Sequence, residues 1–286
     1  MKNRLLISFS GGRTSAYMTH KILTEKRNEF DVRVVFANTG QEHESTLKFV
    51  KECDEQFGFG TVWVESVVKH GEKKGTEHKV VDYYSASRTG EPYEEVIKKY
   101  GIPNKAFPHC TRELKLRPIY HYIKTQGWIK GSYSTAIGIR SDEMRRVRRD
   151  AVAEKIIYPL VEWFPTTKPE IISWWKLQKF DLGLEDYQGN CVWCWKKSFS
   201  KLLRLASETP EVFDFPKRME SEYGLAGVNP MGVERVFFRQ NTSANAIFNL
   251  LKSHVPEGYI FPNVDPSEDS SCSESCELYP MEHYAE

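Results

Sequence analysis

The amino-acid sequence predicts an α/β fold with a parallel sheet and helices on the faces of that sheet. Patterns typical of strands and helices alternate through the first half of the chain, and the first strand runs directly into a Ser-Gly-Gly turn. Hydrophobic residues make up 40% of the chain and aromatic residues 13%, which is enough for a substantial core. We predict an α/β domain over residues 1–165 and a mostly helical, cysteine-bearing C-terminal region with an acidic tail over residues 166–286.

Short apolar runs indicate the strands, and longer amphipathic runs indicate the helices. Strands are predicted over residues 4–9, 32–37, 61–68 and 135–138, and helices over residues 14–26, 44–57 and 116–127. The segment 70–108 is polar and rich in Gly, Lys and Glu, which predicts an excursion or a lid. Parallel sheets bind ligands at the carboxyl ends of their strands, so the turns after the first two strands are candidate binding loops.

The turn after the first strand has the composition of an anion site. Two adjacent glycines let the backbone approach a ligand closely, and the following helix adds the positive end of its dipole. The pattern predicts a site for a nucleotide phosphate; the structural alternative is an ordinary Gly-rich turn. The segment lacks the Gly-x-x-x-x-Gly-Lys-Ser/Thr pattern of a Walker P-loop, and its residues are Ser10, Gly11, Gly12, Arg13, Thr14 and Ser15.

The net charge of +1 hides an uneven distribution of charge. Residues 112–149 contain ten Lys or Arg and three acidic residues, whereas residues 265–286 contain seven acidic residues and no Lys or Arg. The basic segment is compatible with nucleic acid, with a polyanionic nucleotide or with a solvated helix face. No apolar run is as long as a membrane span and no signal-peptide pattern is present, so we expect a cytoplasmic protein without a membrane partner.

The cysteines are clustered in a way that indicates metal binding rather than a disulfide scaffold. Cys191 and Cys194 form a CxxC motif, a spacing that lets two thiolates bind one metal or cluster or form a redox pair. Cys110 follows His109, and the tail carries Cys272-x-x-x-Cys276. Cys53 lies within a helical pattern and is expected to be a core thiol.

Two metal assignments compete with a third interpretation in which the thiols bind no metal. In the first, Cys110, Cys191 and Cys194 hold an iron–sulfur cluster, and the fourth corner is open or filled by His109 or a tail cysteine, for which we choose Cys276. In the second, four thiolates form a closed tetrahedral zinc site that holds the tail: Cys191, Cys194, Cys272 and Cys276.

Several motifs occur in an order that resembles one protein family. They are residues 10–15, Asn38-Thr39-Gly40, residues 110–115, Gly138-Ile139-Arg140 with Asp142, Glu143 and Arg146, and Tyr158-Pro159-Leu160. Together they resemble the phosphoadenosine phosphosulfate (PAPS) reductase-like branch of the PP-loop ATP pyrophosphatase superfamily, in its phage-type form. The resemblance implies a Rossmann-like adenine nucleotide α-hydrolase fold, with residues 1–165 as the PP-loop nucleotide-binding domain.

The resemblance also implies roles for individual residues. Ser10, Gly11, Gly12 and Ser15 would hold the β- and γ-phosphates of ATP, and Arg13 and Thr14 belong to the same loop. Arg112, Lys115 and Arg140 would neutralise negative charge on the substrate or on the developing pyrophosphate. The remaining predicted nucleotide contacts are Phe36, Ala37, Thr39 and Gly40, which would lie against adenine and ribose, together with Gly138.

Three departures from the family pattern refine the expected chemistry. Arg13 and Thr14 stand where the commoner PP-loop has Lys and Asp. Cluster-bearing relatives have a Cys-Cys pair where this chain has His109-Cys110, which suggests three cysteine ligands and one open iron. Sulfonucleotide reductases typically have Ser-Phe-Gly, whereas this chain keeps the Ser-Gly-Gly of enzymes that split ATP.

Three functions are therefore considered. The leading hypothesis is an ATP-dependent enzyme that adenylates an acceptor and releases pyrophosphate with the aid of Mg²⁺, followed by transfer of sulfur from a donor protein. The acceptor would be a tRNA base, DNA or a small metabolite. The second is a sulfonucleotide reductase in which Cys272 or Cys276 attacks the sulfate sulfur. The third is a non-catalytic protein that senses or sequesters a nucleotide.

Overall fold

The computed structural model describes residues 2–71, 75–189, 191–230, 232–256 and 258–261. Its centre is a six-stranded sheet with the strand order β4-β3-β2-β1-β5-β6. All neighbouring strands are parallel except β3 and β4, which are antiparallel. The α/β class with a mostly parallel sheet is therefore confirmed. The strands are β1 (Asn3–Phe9), β2 (Phe30–Asn38), β3 (Val62–Val68), β4 (Thr76–Val81), β5 (Ser134–Ala136) and β6 (Ile156–Ile157).

Helices cover both faces of the sheet and make up the regular structure of the described part of the chain after residue 165. In chain order the α-helices are α1 (Arg13–Glu25), α2 (Glu44–Phe57), α3 (Glu91–Tyr100), α4 (Arg117–Thr125), α5 (Pro159–Glu162), α6 (Lys168–Trp175), α7 (Phe199–Glu208), α8 (Asp214–Tyr223) and α9 (Ala244–His254). Within the described residues no helix is long and apolar enough to cross a membrane.

The strand order changes direction next to β1. From β1 the chain moves outward to β2 and β3, and it later returns to place β5 on the other side of β1, where Leu5 pairs with Ser134 and Ile7 with Ala136. A crevice forms at such a switch point, at the carboxyl ends of the strands. The turns after β1, β2 and β5 therefore meet at one edge of the sheet.

Both faces of β1 are buried, as is usual for the central strand of a parallel sheet. Leu5, Ile7 and Phe9 belong to one hydrophobic cluster, and Leu6 belongs to another on the opposite face. The first cluster also contains Trp175, which lies beyond residue 165. The predicted boundary at residue 165 therefore does not separate two hydrophobic cores.

The prediction of a polar excursion over residues 70–108 is wrong. Part of this segment forms the antiparallel edge strand β4, and another part forms α3, whose Tyr93, Val96 and Ile97 are buried. The charged residues of β4 and α3 are exposed or half-buried, and they give the segment a composition like that of a loop. An edge strand pairs on one side only and tolerates this polarity.

Two predicted element ends also shift. The helix predicted over residues 116–127 is preceded by a π-helical turn, Arg112–Leu116, and α4 proper begins at Arg117 with Pro118 in its first turn. Proline in the first turn is favourable because its missing N–H is not needed there. The strand predicted over residues 135–138 ends earlier, so Gly138 lies in the loop after β5.

Candidate functional site

The loop between β1 and α1 presents backbone amides at the strand-order switch. Gly12, which has no side chain, is the N-cap of α1, and the first turn of the helix contains no acidic residue. The hydroxyl oxygens of Ser10 and Ser15 are 2.8 Å apart, and the Ser15 hydroxyl also donates to the Gly12 carbonyl oxygen at 3.0 Å. The first amides of α1 and these two hydroxyls form an arrangement suited to an anion.

Gly11 is required at its position for two reasons. Its φ is +78°, and a Cβ there would lie 2.7 Å from Thr46 Cγ2 and 3.1 Å from Phe36 Cε2. The ring of Phe36 is itself buried and packs edge-on against Phe9 and Trp63. The Phe36 side chain therefore supports the loop from within the core, and its contact with adenine stays a prediction.

The loop after β5 approaches the start of α1 closely. A Cβ at Gly138 would lie 3.3 Å from Ser15 Cα, so a side chain here would press on residues 10–15, the predicted phosphate loop. Two residues later, the Arg140 guanidinium donates to the Thr14 hydroxyl at 3.4 Å and pairs with Asp142 at 3.1 Å. Arg140 thus lies beside the loop, and its role toward substrate or pyrophosphate stays a prediction.

Arg13 is held by contacts with a distant segment. Its Nε and Nη2 donate to the two carboxylate oxygens of Asp181 at 2.7 and 2.6 Å, and its Nη1 donates to the Leu184 carbonyl oxygen at 3.1 Å. Bidentate pairing of this kind holds both partners in a defined orientation. The guanidinium therefore anchors the 181–184 segment to the start of α1, and its contact with a nucleotide stays a prediction.

The residues after β2 are held by internal hydrogen bonds. Asn38 donates to Glu65 Oε1 at 2.6 Å and to the Ser87 carbonyl oxygen at 2.9 Å. Ala37 is buried against the opposite face of the sheet from Phe36. Its side chain, like that of Phe36, is therefore turned into the core, and the predicted contact of Ala37 with adenine and ribose remains untested.

Gly40 also lies in this turn, with a φ of +79°. A Cβ there would lie 2.9 Å from the Gly90 Cα, so the turn packs tightly against the start of α3.

Glu42 connects the end of β2 to the cysteine-bearing region. Its carboxylate accepts hydrogen bonds from the Thr39 N–H and hydroxyl, both at 2.8 Å, and its Oε1 lies 4.0 Å from Lys115 Nζ. The Glu42 backbone forms an antiparallel bridge with Cys191, and Cys191 Sγ lies 3.5 Å from the Thr39 hydroxyl oxygen. Glu42 thus links three predicted residues, Thr39 and Lys115 through its buried carboxylate and Cys191 through its backbone.

The three described cysteines outside α2 surround one tyrosine. Burial raises the pKa of Tyr93 well above its ordinary value, and the neighbouring Cys110, Cys191 and Cys194 raise it further, Cys110 also by a hydrogen bond. The tyrosine hydroxyl therefore stays protonated and can donate to a thiolate. The predicted separation of Cys53 from this group is correct, because Cys53 is fully buried in the core cluster beneath β1.

The thiols around Tyr93 are suitable ligands for a soft metal. The described residues, however, are not arranged as a ready site for a single metal ion. Thiolates are the ligands that zinc and iron–sulfur clusters prefer. In the described part of the chain, however, no group of three or more His, Cys, Asp or Glu side chains is arranged to hold a metal ion. Cys272 and Cys276 lie outside the described residues, so neither the zinc site nor the fourth corner at Cys276 is tested.

His109 and Arg112 lie before and after Cys110 in the chain. Arg112 Nε pairs with Glu113 at 2.6 Å, and both Arg112 and His109 line a cavity of about 780 Å³. Burial lowers the pKa of His109 to about 4, so the imidazole is neutral at pH 7. Its Nε2–H donates to the Gly101 carbonyl oxygen at 3.0 Å. No described contact connects Arg112 to the phosphate loop.

Much of the basic segment is neutralised within the protein. Its cations pair with acidic neighbours, so the segment cannot be interpreted simply as a continuous basic surface. The pairs are Arg112 and Arg117 with Glu113, Lys115 with Glu42, Arg140 with Asp142 and Glu143, Arg146 with Glu143, and Arg148 with Asp150.

Sequence reasoning missed three residues of this site. Tyr93 sits on a helix that was predicted as an excursion, and nothing in its local pattern indicates thiol neighbours. Asp181 carries no local signal, because its partner Arg13 is far away in the chain. Glu42 could have been found, because it follows Asn38-Thr39-Gly40 within the same turn.

Comparisons with known proteins identify the family of the chain. The phosphoadenosine phosphosulfate reductase domain matches residues 4–182 of the chain. An uncharacterized nin region protein of Escherichia phage lambda is 31% identical over 281 residues, which cover 96% of this chain and 94% of the phage protein. Two uncharacterized proteins of Methanocaldococcus jannaschii are 27% and 26% identical, over 57% and 72% of this chain and 30% and 45% of their own lengths. The chain therefore belongs to the phosphoadenosine phosphosulfate reductase family, in a form similar to the phage lambda protein.

Proposed function

We propose that the protein is an ATP-dependent adenylating enzyme that prepares an acceptor for sulfur transfer. The observation that carries the proposal is the meeting of the Ser-Gly-Gly loop, Arg140 and the Thr39–Cys191 contact at one edge of the sheet. An anion site and a thiol group at the same edge suit a reaction that joins phosphate chemistry to sulfur chemistry.

The proposed reaction has two steps. An acceptor oxygen attacks the α-phosphorus of ATP, the α–β anhydride bond breaks, pyrophosphate leaves and the acceptor proton passes to solvent. Hydrosulfide supplied by a donor protein then attacks the acceptor carbon, the carbon–oxygen bond to the adenylate breaks, AMP leaves and a carbon–sulfur bond forms, with no change in the oxidation state of the sulfur. Amides of the loop, the hydroxyls of Ser10 and Ser15, and the Arg140 guanidinium would stabilise the charge that develops on pyrophosphate.

Mg²⁺ and a cluster are further parts of the proposal. Mg²⁺ usually binds through substrate phosphates, water and one or two carboxylates, so it needs no preformed protein cage. Cys110, Cys191 and Cys194 would hold a 4Fe–4S cluster, with Tyr93 as a hydrogen-bond donor beside the thiolates. Such a cluster would supply an iron site for handling sulfur; zinc is the alternative occupant.

The first experiment measures the products of ATP. With Mg²⁺ and single-stranded DNA, tRNA or a small hydroxylated acceptor, we expect AMP and pyrophosphate in equal amounts. Arg140→Gln should lower kcat/KM by about 10²-fold, because it removes one donor from the developing pyrophosphate. Arg148→Gln is the matched control, since Arg148 lies in the same segment and pairs with Asp150. Formation of ADP, or equal losses in both variants, would contradict the proposed mechanism.

The second experiment determines iron, zinc and sulfide in anaerobically purified protein. A 4Fe–4S cluster should give about four irons with matching sulfide. Both should be lost in Cys110→Ala and in Cys191→Ala, whereas Cys53→Ala should retain them because Cys53 is buried elsewhere in the core. One zinc without sulfide, lost in Cys272→Ala, would replace the cluster with the closed zinc site.

The domain match favours a second candidate, sulfonucleotide reduction. In that reaction, a tail thiol would attack the sulfate sulfur of PAPS or adenylyl sulfate and release sulfite after reduction of the resulting adduct by a dithiol. Release of sulfite from either nucleotide, with loss in Cys276→Ser, would support this candidate over adenylation.

A further inference from the structure

The cavity of about 780 Å³ beside His109 and Arg112 is not part of the predicted phosphate site. It lies between residues 99–112 on one side and residues 228–230 and 233–241 on the other. These two walls are packed closely, because a Cβ at Gly101 would lie 2.5 Å from Arg235 Nη1. The volume falls within the range of small-molecule sites.

An exposed aromatic ring projects at the edge of this cavity. Phe107 is 46% exposed, although its backbone is held in place by Asn104. The Asn104 side-chain oxygen accepts the N–H groups of Ala106 and Phe107 at 3.0 and 3.1 Å, and its Nδ2 donates to the Val236 carbonyl oxygen on the other wall at 3.0 Å. A ring that is both exposed and fixed is suited to stacking on a planar ligand.

The lining also carries positive charge. Its cations are Lys99, Arg112 and Arg235, and its carboxylate among the described residues is Glu234. Because Arg112 is paired with Glu113, the excess of positive charge comes from Lys99 and Arg235. Arg235 lies over the Phe107 ring, with its guanidinium carbon 4.1 Å from the ring centroid, and its Nη1 donates to the neutral Tyr100 carbonyl oxygen. Planar aromatic and cationic groups side by side match a base that carries a phosphate.

The cavity is adjacent to the thiols. His109 and Arg112 line it, and Cys110 between them in the chain hydrogen-bonds Tyr93 of the thiol group. We infer that this cavity binds one nucleotide unit, stacked on Phe107 with its phosphate near Arg235, as the acceptor of the reaction. The acceptor role rests on the proposed function, but the binding itself does not. The unit would come from a single-stranded nucleic acid or from a free mononucleotide.

Fluorescence anisotropy with a labelled single-stranded DNA of about ten nucleotides tests this inference, with thymidine monophosphate as an unlabelled competitor. Wild-type protein should bind the DNA, and Phe107→Ala should weaken binding by about fivefold or more, because stacking on the ring is lost. Phe107→Tyr keeps an aromatic face and should retain binding. Tyr84→Ala is the matched control, because Tyr84 is 78% exposed and lies outside the cavity.

Each outcome decides one point. Competition by the mononucleotide at concentrations comparable to those of the DNA assigns the site to free nucleotides, and competition only at far higher concentrations assigns it to nucleic acid. Failure of wild type to bind either probe, or equal losses in Phe107→Ala and Tyr84→Ala, overturns the inference. If the DNA binds through Phe107 but no acceptor yields AMP and pyrophosphate, the proposed function fails while the cavity assignment stands.

Discussion

Gly11→Ala is expected to lower the free energy of unfolding by about 3 kcal/mol and to abolish measurable ATP binding. A left-handed conformation costs a non-glycine residue about 1–2 kcal/mol, and overpacking adds about 1–3 kcal/mol. Both apply here, because φ is +78° and the new Cβ would lie 2.7 Å from Thr46 Cγ2 and 3.2 Å from Val50 Cγ2. The strain at residue 11 should move the loop between β1 and α1 away from the position proposed for phosphate binding. Urea denaturation and titration calorimetry with ATP measure the two effects.

Gly60→Ala separates the two causes. Gly60 has a φ of +65°, but a Cβ there would meet nothing within 4 Å. This control should therefore lose about 1–2 kcal/mol from the backbone conformation alone and should bind ATP normally. Equal destabilisation in Gly11→Ala and Gly60→Ala would show that the packing of the loop against α2 does not contribute to the free energy of unfolding.

Glu42→Ala is expected to cost about 3 kcal/mol of unfolding free energy. The Glu42 side chain is 3% exposed, and its removal leaves the Thr39 N–H without its acceptor and the Lys115 ammonium, 11% exposed, without its nearby carboxylate. Removing one partner of a buried pair typically costs about 3–5 kcal/mol, and the 4.0 Å separation places this pair at the lower end. Chemical denaturation measures the loss.

The control for Glu42 is Glu55, which pairs with Lys51 at 3.5 Å but has a side chain that is 53% exposed. Glu55→Ala should cost less than about 1 kcal/mol, because water screens an exposed pair. Lys115→Met should partly rescue Glu42→Ala, since the double variant no longer buries an ammonium that has lost its Glu42 carboxylate. A Glu42→Ala variant as stable as Glu55→Ala would contradict the linking role of this carboxylate.

Elements that depend on local sequence were predicted well. β1, α1, β2, α2 and β3 lie within two residues of their predicted bounds, and α2 has the predicted ends. Their apolar periodicity is strong, and the turns between them contain glycine. The phosphate loop follows from the same local signals, because a strand, two glycines and a helix are contiguous in the chain.

Contacts with a distant partner were not predicted. Arg13 was assigned to the nucleotide because it lies in the loop, and nothing in the sequence indicated that its guanidinium binds Asp181. Phe36 was assigned to adenine because it lies at a strand end, and nothing indicated that its ring fills the space beneath Gly11. Neither partner is visible in a local pattern, because strand pairing and side-chain packing bring it close only after folding.

The amino-acid sequence by itself determined the α/β class, the family and the glycine-rich loop between β1 and α1, since each depends on contiguous residues. Only the tertiary structure decided that Cys110, Cys191 and Cys194 surround Tyr93 and that Glu42 joins Thr39 to Lys115. It also decided that 70–108 contains an edge strand and a buried helix rather than an excursion. The physical reason is that these contacts join segments far apart in the chain, and their free energy depends on burial, which no local window contains.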